Sequence, residues 1–138
     1  MEPPSKATAD TLPLNNLLCL PQPLPVDETF TPIIQTDQIL SEKIISIGHT
    51  TPPDQWYDQE RDEWVMVVQG NATLMVADNT EDGTVIDLVA GDYLLIPAHC
   101  RHRVIATSQE PVCIWLAIHG DLTGSLIRKN LTNHESSD

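Results

Sequence analysis

One stretch decides how this chain folds: WYDQERDEWVMVVQG, residues 56–70. Its first part, Asp58 to Glu63, is polar and mostly acidic, whereas its second part, Trp64 to Val68, is apolar. This change predicts a loop that leads into a buried strand, with Glu63 at the junction. Because burying a lone carboxylate is costly, Glu63 must be protonated, or ionised and paired with another group. The partner of Glu63 is therefore the central question that the sequence poses.

The composition is that of a single globular domain with an excess of acidic side chains. The chain has 138 residues, with 20 acidic side chains against 7 basic ones and a formal net charge of -13. This length is enough for one hydrophobic core. The negative charge argues against nucleic acids and anionic membranes as partners, and it weakly favours cationic or metal-bound ligands.

The cysteines and the N-terminal residues indicate the compartment. Cys19, Cys100 and Cys113 are odd in number and lack CxxC spacing, so they predict neither a disulfide framework nor a zinc knuckle. Residues 1–4, MEPP, do not show the basic and then apolar pattern of a secretion signal. No apolar run reaches membrane-spanning length. We therefore expect a cytoplasmic protein in a reducing compartment.

Short segments of alternating hydrophobicity, separated by turn residues, occur along most of the chain. The strands predicted from this pattern are Glu42–Thr50, Glu63–Gln69, Thr73–Ala77, Thr84–Val89, Tyr93–Ile96, His102–Thr107 and Val112–His119. Many short strands with regularly spaced turns predict an all-β sandwich or barrel.

The two ends of the chain differ from its centre. Residues 1–32 alternate prolines with leucines, which excludes a long helix or an interior strand but leaves too many apolar side chains for a disordered tail. We expect a loose segment of about ten residues and then an extended arm. A β-barrel over residues 33–120 and a C-terminal extension over residues 121–138 should follow. Within that extension, Leu122–Leu131 has the composition of a short helix.

A second informative stretch is GDYLLIPAHCRHR, residues 91–103. A histidine that starts a strand beside a rigid proline turn is well placed to face into a barrel. If His102 points inwards, strand alternation places Val104 and Ala106 inside as well, and the strand after Glu63 should alternate in the same way. Both strands then place small apolar side chains behind one polar side chain. This predicts a pocket with a polar entrance and an apolar floor.

These two stretches resemble the two motifs of the RmlC-like cupin superfamily. The pattern E-x6-G at residues 63–70 matches the second half of cupin motif 1, and G-x5-P-x4-H at residues 91–102 matches most of motif 2. The resemblance covers residues 40 to 119 and is strongest to small single-domain bacterial cupins. It implies a double-stranded β-helix, or jelly-roll barrel, here preceded by an extended arm rich in proline and leucine.

The resemblance also implies a divalent metal site. The family usually holds the ion with two histidines and a glutamate from motif 1 and one histidine from motif 2. Glu63 carries the glutamate and His102 the motif 2 histidine. Motif 1 is degenerate here, because none of the positions expected for its histidine pair is a histidine. Those positions fall on Tyr57 and Gln59 or on Trp56 and Asp58.

Other side chains can compensate for the missing pair. His99 stands where the family has a glycine, so His99 and His102 can supply two nitrogen ligands. Glu63 then supplies a carboxylate, and Asp58 or Gln59 a further oxygen. Such a set suits Fe, Mn, Ni or Zn. Alternatively, Glu63 and His102 only hydrogen-bond each other without a metal, and His99 only caps a turn.

Two classes of function stay open at this stage. The first is a metal-assisted enzyme of dioxygenase, isomerase or lyase type that acts on a small polar molecule, with His99 or Tyr57 as the proton carrier. The second is a metal-free, non-catalytic binder or sensor of small molecules, which the missing histidine pair favours. His119 is interpreted as structural. The leucine-rich arm, which water solvates poorly, and the way in which small cupins commonly pair together predict a homodimer.

Overall fold

The computed structural model describes Leu12 and residues 14–78 and 83–125 of the chain. In this part of the chain there are eight strands and one short 3-10 turn at Thr123–Ser125. The strands are β1 (Thr29–Gln35), β2 (Leu40–Ser46), β3 (Asp62–Gln69), β4 (Asn71–Val76), β5 (Thr84–Val89), β6 (Tyr93–Ile96), β7 (His102–Thr107) and β8 (Cys113–Gly120). None of the helical segments in the described ranges is long and apolar enough to cross a membrane.

The strands form two antiparallel sheets around one core. The larger sheet has the order β1-β2-β8-β3-β6, and the smaller has the order β5-β4-β7. Apolar side chains from both sheets are buried between them, and this burial is the main source of stability. The buried core residues are Ile44, Val65, Val67, Ala72, Leu74, Leu88, Ile96, Cys113, Trp115 and Ala117. The predicted all-β class is confirmed.

The observed bounds of β5, β6 and β7 agree with the predicted ones. Strand β3 differs by one residue at its start, and β4 and β8 differ by one or two residues at both ends. Strand β2 ends at Ser46, four residues before the predicted end. Gly48 has a φ of +73°, which interrupts the extended backbone. The amide of Ile47 donates to His49 Nδ1 at 2.8 Å, so a turn replaces the ladder at this point.

Strand β1 begins at Thr29, inside the segment that the sequence predicted to be an arm. It pairs with β2 at the edge of the larger sheet, and its register shifts between Pro32 and Ile34. An edge strand tolerates a proline because one side of its backbone needs no partner. The predicted looseness of residues 1–10 lies outside the described residues, as does most of the helix predicted over residues 122–131.

The inward-facing side chains that strand alternation predicts on β3, and most of those that it predicts on β7, do face the core. Glu63 and Val65 are buried as expected. On β7, His102 is buried and Val104 packs against the core, but Ala106 is exposed. The expectation for Ala106 is wrong because β7 carries an extra residue: Leu74 pairs with Val104 while Thr73 pairs with Ala106. A bulge of this kind reverses the alternation beyond it.

Candidate functional site

A cavity lies between the two sheets, at the end where β3 and β7 begin and β8 ends. Its volume is about 80 Å³, enough for several water molecules. Polar side chains stand at the strand ends, and apolar side chains form the floor. The lining residues are Glu28, Phe30, Glu42, Ile44, Tyr57, Gln59, Glu63, Val65, Leu74, Ile96, His102, Val104, Trp115 and His119.

Glu63 and His102 meet inside this cavity. His102 Nε2 lies 3.4 Å from Glu63 Oε1, and their side chains are only 6% and 10% exposed. His102 Nδ1 lies 2.9 Å from the carbonyl oxygen of Cys100. Because a carbonyl only accepts hydrogen bonds, Nδ1 carries a proton and Nε2 is the atom that faces Glu63. A proton or a cation must therefore lie between Nε2 and the carboxylate to avoid repulsion.

The environment of His102 favours its charged form. Burial lowers the pKa of His102, but the hydrogen bond to Glu63, the carbonyl of Cys100 and the negative charge of Glu63 together raise it by more. The net pKa of His102 therefore lies above its ordinary value. The partner of Glu63, which the sequence left open, is this imidazole.

A second histidine and a second carboxylate join this pair. His119 stands opposite Glu63 in the β3–β8 ladder. His119 Nε2 is 3.0 Å from Glu42 Oε1 and 4.0 Å from Glu63 Oε2. The four side chains form a row in the order Glu42, His119, Glu63, His102, which we call the acid–imidazole row. It holds two carboxylates and two imidazoles within one cavity.

Sequence reasoning missed two members of the row, His119 and Glu42. Period-2 alternation contained the signal for both. On β8, His119 shares a face with Trp115, which is a core residue. On β2, Glu42 shares a face with Ile44, which is also a core residue. A polar side chain that ends a run of inward-facing core residues is therefore a candidate site residue, even when it lies outside both motifs.

The loop before β3 covers one side of His102. Tyr57 pairs with His102 through two backbone hydrogen bonds of 2.7 and 3.1 Å, and the two rings stack with centroids 5.4 Å apart. Burial raises the pKa of Tyr57, and the charges of Glu28 and Glu63 raise it further. Tyr57 and Gln59 both line the cavity, so the two predicted candidates in this loop lie at the site.

His99 and Asp58 lie elsewhere. His99 Nδ1 is 2.8 Å from Asp58 Oδ1, and the two side chains are 67% and 52% exposed. Neither belongs to the described residues that line the cavity. His99 has a φ of +61°, a backbone conformation that favours glycine, which explains why the family has glycine at this position. Of the metal ligands proposed from the sequence, Glu63, His102 and Gln59 are brought together, and His99 and Asp58 form a separate pair.

Asp62 positions the two chain segments that carry the histidines. Its buried carboxylate accepts hydrogen bonds from the amides of Ala98, Leu122 and Thr123 at 2.7, 2.8 and 2.9 Å. The first amide belongs to the turn before His102, and the other two follow β8. Hydrogen bonds from the Thr123 side chain and from these amides hold the pKa of Asp62 well below its usual range.

The comparisons with known proteins establish the family. The model of the Cupin domain family matches residues 44–119, more than half of the chain, so the chain belongs to the cupin family. No curated protein sequence matches it. The fold is the cupin double-stranded β-helix, as the two motifs predicted.

Three solved structures illustrate the likeness. A candidate mannose-6-phosphate isomerase from Ralstonia eutropha is 41% identical, with a TM-score of 0.71 and coverage of 78% of this chain and 97% of that one. An RmlC-like cupin with a double-stranded β-helix fold from Methanocaldococcus jannaschii is 11% identical, with a TM-score of 0.54 and coverage of 69% and 81%. Bacillus subtilis oxalate decarboxylase, described with Mn(II) centres, is 18% identical, with a TM-score of 0.50 and coverage of 67% and 23%.

Proposed function

We propose that this cupin binds a divalent metal ion and a small polar molecule in the cavity between its sheets. The observation that carries the proposal is the acid–imidazole row, in which neighbouring donor atoms are 3.0, 3.4 and 4.0 Å apart. Two ligand atoms that each lie about 2.1 Å from one ion are separated by roughly 3.0 to 4.2 Å, depending on the angle at the ion. Each neighbouring pair of donors therefore has a spacing that two ligands of one ion can have.

The donor types are also suitable. Two imidazoles and two carboxylates favour Fe, Mn, Ni or Zn. A ligating histidine needs an acceptor for its other ring nitrogen, and His102 has one in the carbonyl of Cys100. When bound, the ion would supply Lewis-acid chemistry with open positions facing the cavity. His102, Glu63, His119 and Glu42 would hold it in place of the missing motif 1 pair.

If the protein is an enzyme, Tyr57 is the proton carrier best supported by the structure. It lines the cavity and stacks on His102. Its raised pKa keeps the phenol protonated at neutral pH, so it can donate a hydrogen bond or a proton to a bound molecule. Isomerase, lyase and dioxygenase reactions all stay open, because a fold does not choose its chemistry.

A metal-free binder is the second candidate, and one observation favours it. The donors of the row are already paired with each other, and within residues 14–78 and 83–125 no group of three or more His, Cys, Asp or Glu side chains is arranged so that it could hold a metal ion. Metal binding would then require these side chains to exchange their present partners for the ion.

Metal analysis of protein purified without a chelating tag separates the two candidates. We expect one ion per chain in the wild type and loss of the ion in His102→Ala, Glu63→Ala and His119→Ala. His99→Ala is the matched control, because it removes an imidazole that lies outside the cavity. This variant should retain the ion. A folded wild type that acquires no ion when dialysed against each of the four metals would overturn the metal proposal.

We also propose that the chain forms a homodimer through the outer face of β1, β2 and β8. A groove of about 1250 Å³ lies there beside the arm, and among the described residues that line it Lys43 is the sole charged one. Ile33 and Ile34 on this face are 51% and 59% exposed. Two copies that each carry a formal charge of -13 repel one another, and contact through a face without acids keeps that repulsion low. An exposed apolar face of this kind is typical of an interface.

Light scattering during size exclusion tests the dimer. Ile34→Glu should convert a dimer into a monomer, because the carboxylate would be buried without a partner. Val89→Glu is the matched control: Val89 is also 59% exposed but lies on the smaller sheet, so this variant should stay dimeric. A wild type that is monomeric at micromolar concentration would refute the proposal.

We infer a cytoplasmic, reducing location from the cysteines. Cys19, Cys100 and Cys113 are all free thiols in the structure. Cys113 is fully buried, and burial together with the charge of Glu28 raises its pKa to about 12, so it is unreactive. Thiol titration after purification without a reductant should find three thiols per chain, and a disulfide would count against this location.

A further inference from the structure

We infer that the molecule bound in the cavity is a small organic cation, and that Glu28 anchors its positive group. This inference rests on the proposed function in one respect, since it takes the cavity to be a ligand site. It does not depend on whether a metal ion is also present. Its basis is the charge of the cavity, the partners of its three glutamates and the aromatic rings among its lining residues.

The cavity is negatively charged in every protonation state of its histidines. Its described lining includes three glutamates, Glu28, Glu42 and Glu63, two histidines and no lysine or arginine. With neutral imidazoles the ionised carboxylates leave three negative charges, and with two imidazolium ions one negative charge remains. A divalent ion beside neutral imidazoles also leaves one. Without a metal ion, an anionic ligand is therefore repelled in every protonation state of the histidines, whereas a cation is attracted.

Glu28 differs from the other two glutamates because it has no ionic partner among the described residues. Glu42 pairs with His119, and Glu63 pairs with His102. Glu28 Oε2 instead accepts a hydrogen bond from the hydroxyl of Ser46. A hydroxyl orients a carboxylate without neutralising it, so Glu28 is the acid that is free to pair with an incoming cation.

The position of Glu28 is set from inside the core. Ser46 is completely buried, and the indole Nε1–H of Trp115 donates to its hydroxyl at 3.1 Å. The hydrogen bonds thus run from Trp115 through Ser46 to Glu28 and hold the carboxylate at the cavity. Its charge lies at the cavity, because Glu28 is one of the residues that line it.

The remaining walls suit an alkylammonium ion. Phe30, Tyr57 and Trp115 line the same cavity, and aromatic faces attract cations. The apolar floor, which includes Val65 and Leu74, can receive a short hydrocarbon chain. A volume of about 80 Å³ limits the ligand to a few non-hydrogen atoms. In the metal-free cavity, phosphorylated sugars and dicarboxylates are disfavoured by their negative charge.

Three probes of similar size and different charge test this inference: butylammonium, 1-butanol and butyrate. Their dissociation constants are measured by ligand-observed NMR on the wild-type protein, once after treatment with a chelator and once after metal loading. We expect butylammonium to bind about tenfold more tightly than 1-butanol, and butyrate more weakly than either. Equal or tighter binding of butyrate, or no binding of butylammonium in both preparations, would overturn the inference.

The role of Glu28 is tested by Glu28→Gln, which removes the charge and keeps an acceptor for Ser46. This variant should lose the preference for butylammonium over 1-butanol while it still binds 1-butanol. Asp87→Asn is the matched control, because Asp87 is an exposed acid on β5 that also accepts a hydrogen bond from a hydroxyl, that of Thr73. It should keep the preference.

A preference that survives in Glu28→Gln would show that Glu28 is not the anchor. If Glu28→Gln does not fold, the charge series on the wild type still decides the ligand class. Failure of metal binding is recorded separately by metal analysis, so the two proposals can fail independently.

Discussion

Two of the histidine–carboxylate pairs in the described residues lie in opposite surroundings. His99 and Asp58 are 2.8 Å apart and largely exposed, whereas His102 and Glu63 are 3.4 Å apart and almost fully buried. The shorter contact is the weaker one, because water screens an exposed pair and solvates each partner when the pair opens. The buried pair has no such alternative, so loss of either partner leaves a charge without compensation. The strength of the two pairs therefore follows their burial and not the distance between their atoms.

The largest expected effect comes from breaking the buried pair. His102→Ala should lower the free energy of unfolding by about 3 kcal/mol, because Glu63 is then left buried without its nearest imidazole. Urea unfolding of metal-free protein, followed by circular dichroism, measures the change. The double variant His102→Ala/Glu63→Ala should lose less than the sum of the two single variants. Additive losses would mean that the two side chains do not interact.

The stability that the buried pair contributes should depend on pH. Because the pKa of His102 is raised in the folded chain, the folded state holds its proton more tightly than the unfolded state does. The contribution is complete below the unfolded pKa of about 6.5 and is lost as the pH rises through the folded pKa. The stability difference between the wild type and His102→Ala, both metal-free, should therefore shrink as the pH rises from about 6. A difference that grows with rising pH would contradict the assignment.

Breaking the exposed pair should have a small effect. Asp58→Ala should cost about 0.5 kcal/mol or less, since exposed ion pairs contribute little. The same unfolding experiment, repeated in about 1 M salt, should find the cost smaller still because salt screens exposed charges. A loss of unfolding free energy as large as that of His102→Ala would show that the exposed pair of His99 and Asp58 has a structural role.

The variant expected to differ least in stability from the wild type is His99→Gly. A non-glycine residue at a φ of +61° is strained, so His99→Gly relieves strain while it removes the contact with Asp58. His99→Gly should therefore be more stable than His99→Ala by about 1 kcal/mol and close to the wild type. Thermal unfolding of the two variants side by side provides the test. Equal melting temperatures would argue that the backbone is not strained there.

Much of the fold could be predicted because local pattern and burial agree. The inward positions of β3 followed from alternation after Glu63, and the E-x6-G and G-x5-P-x4-H spacings predicted the cupin fold. Strand β1 was missed because Pro32 reads as a strand breaker, yet the edge of a sheet accepts it. Ala106 was misplaced because a bulge is decided by the pairing of two strands, which one strand alone does not reveal.

The site was predicted in part. Glu63, His102, Tyr57 and Gln59 line the cavity, as their motif positions suggested. The other members of the row, His119 and Glu42, lie far from both motifs in the sequence and reach the cavity only because β8 pairs with β2 and β3.

The sequence by itself determined the class of fold, because alternation and turn residues are local properties of the chain. Its resemblance to the two cupin motifs also pointed to one carboxylate, Glu63, and one imidazole, His102, as members of the site. Which further groups joined them was decided only by the tertiary structure. Strand pairing placed His119 and Glu42 beside Glu63. His99 adopts a left-handed backbone conformation and lies outside the cavity. Contacts between strands depend on register and order, and these are set by the packing of the whole core.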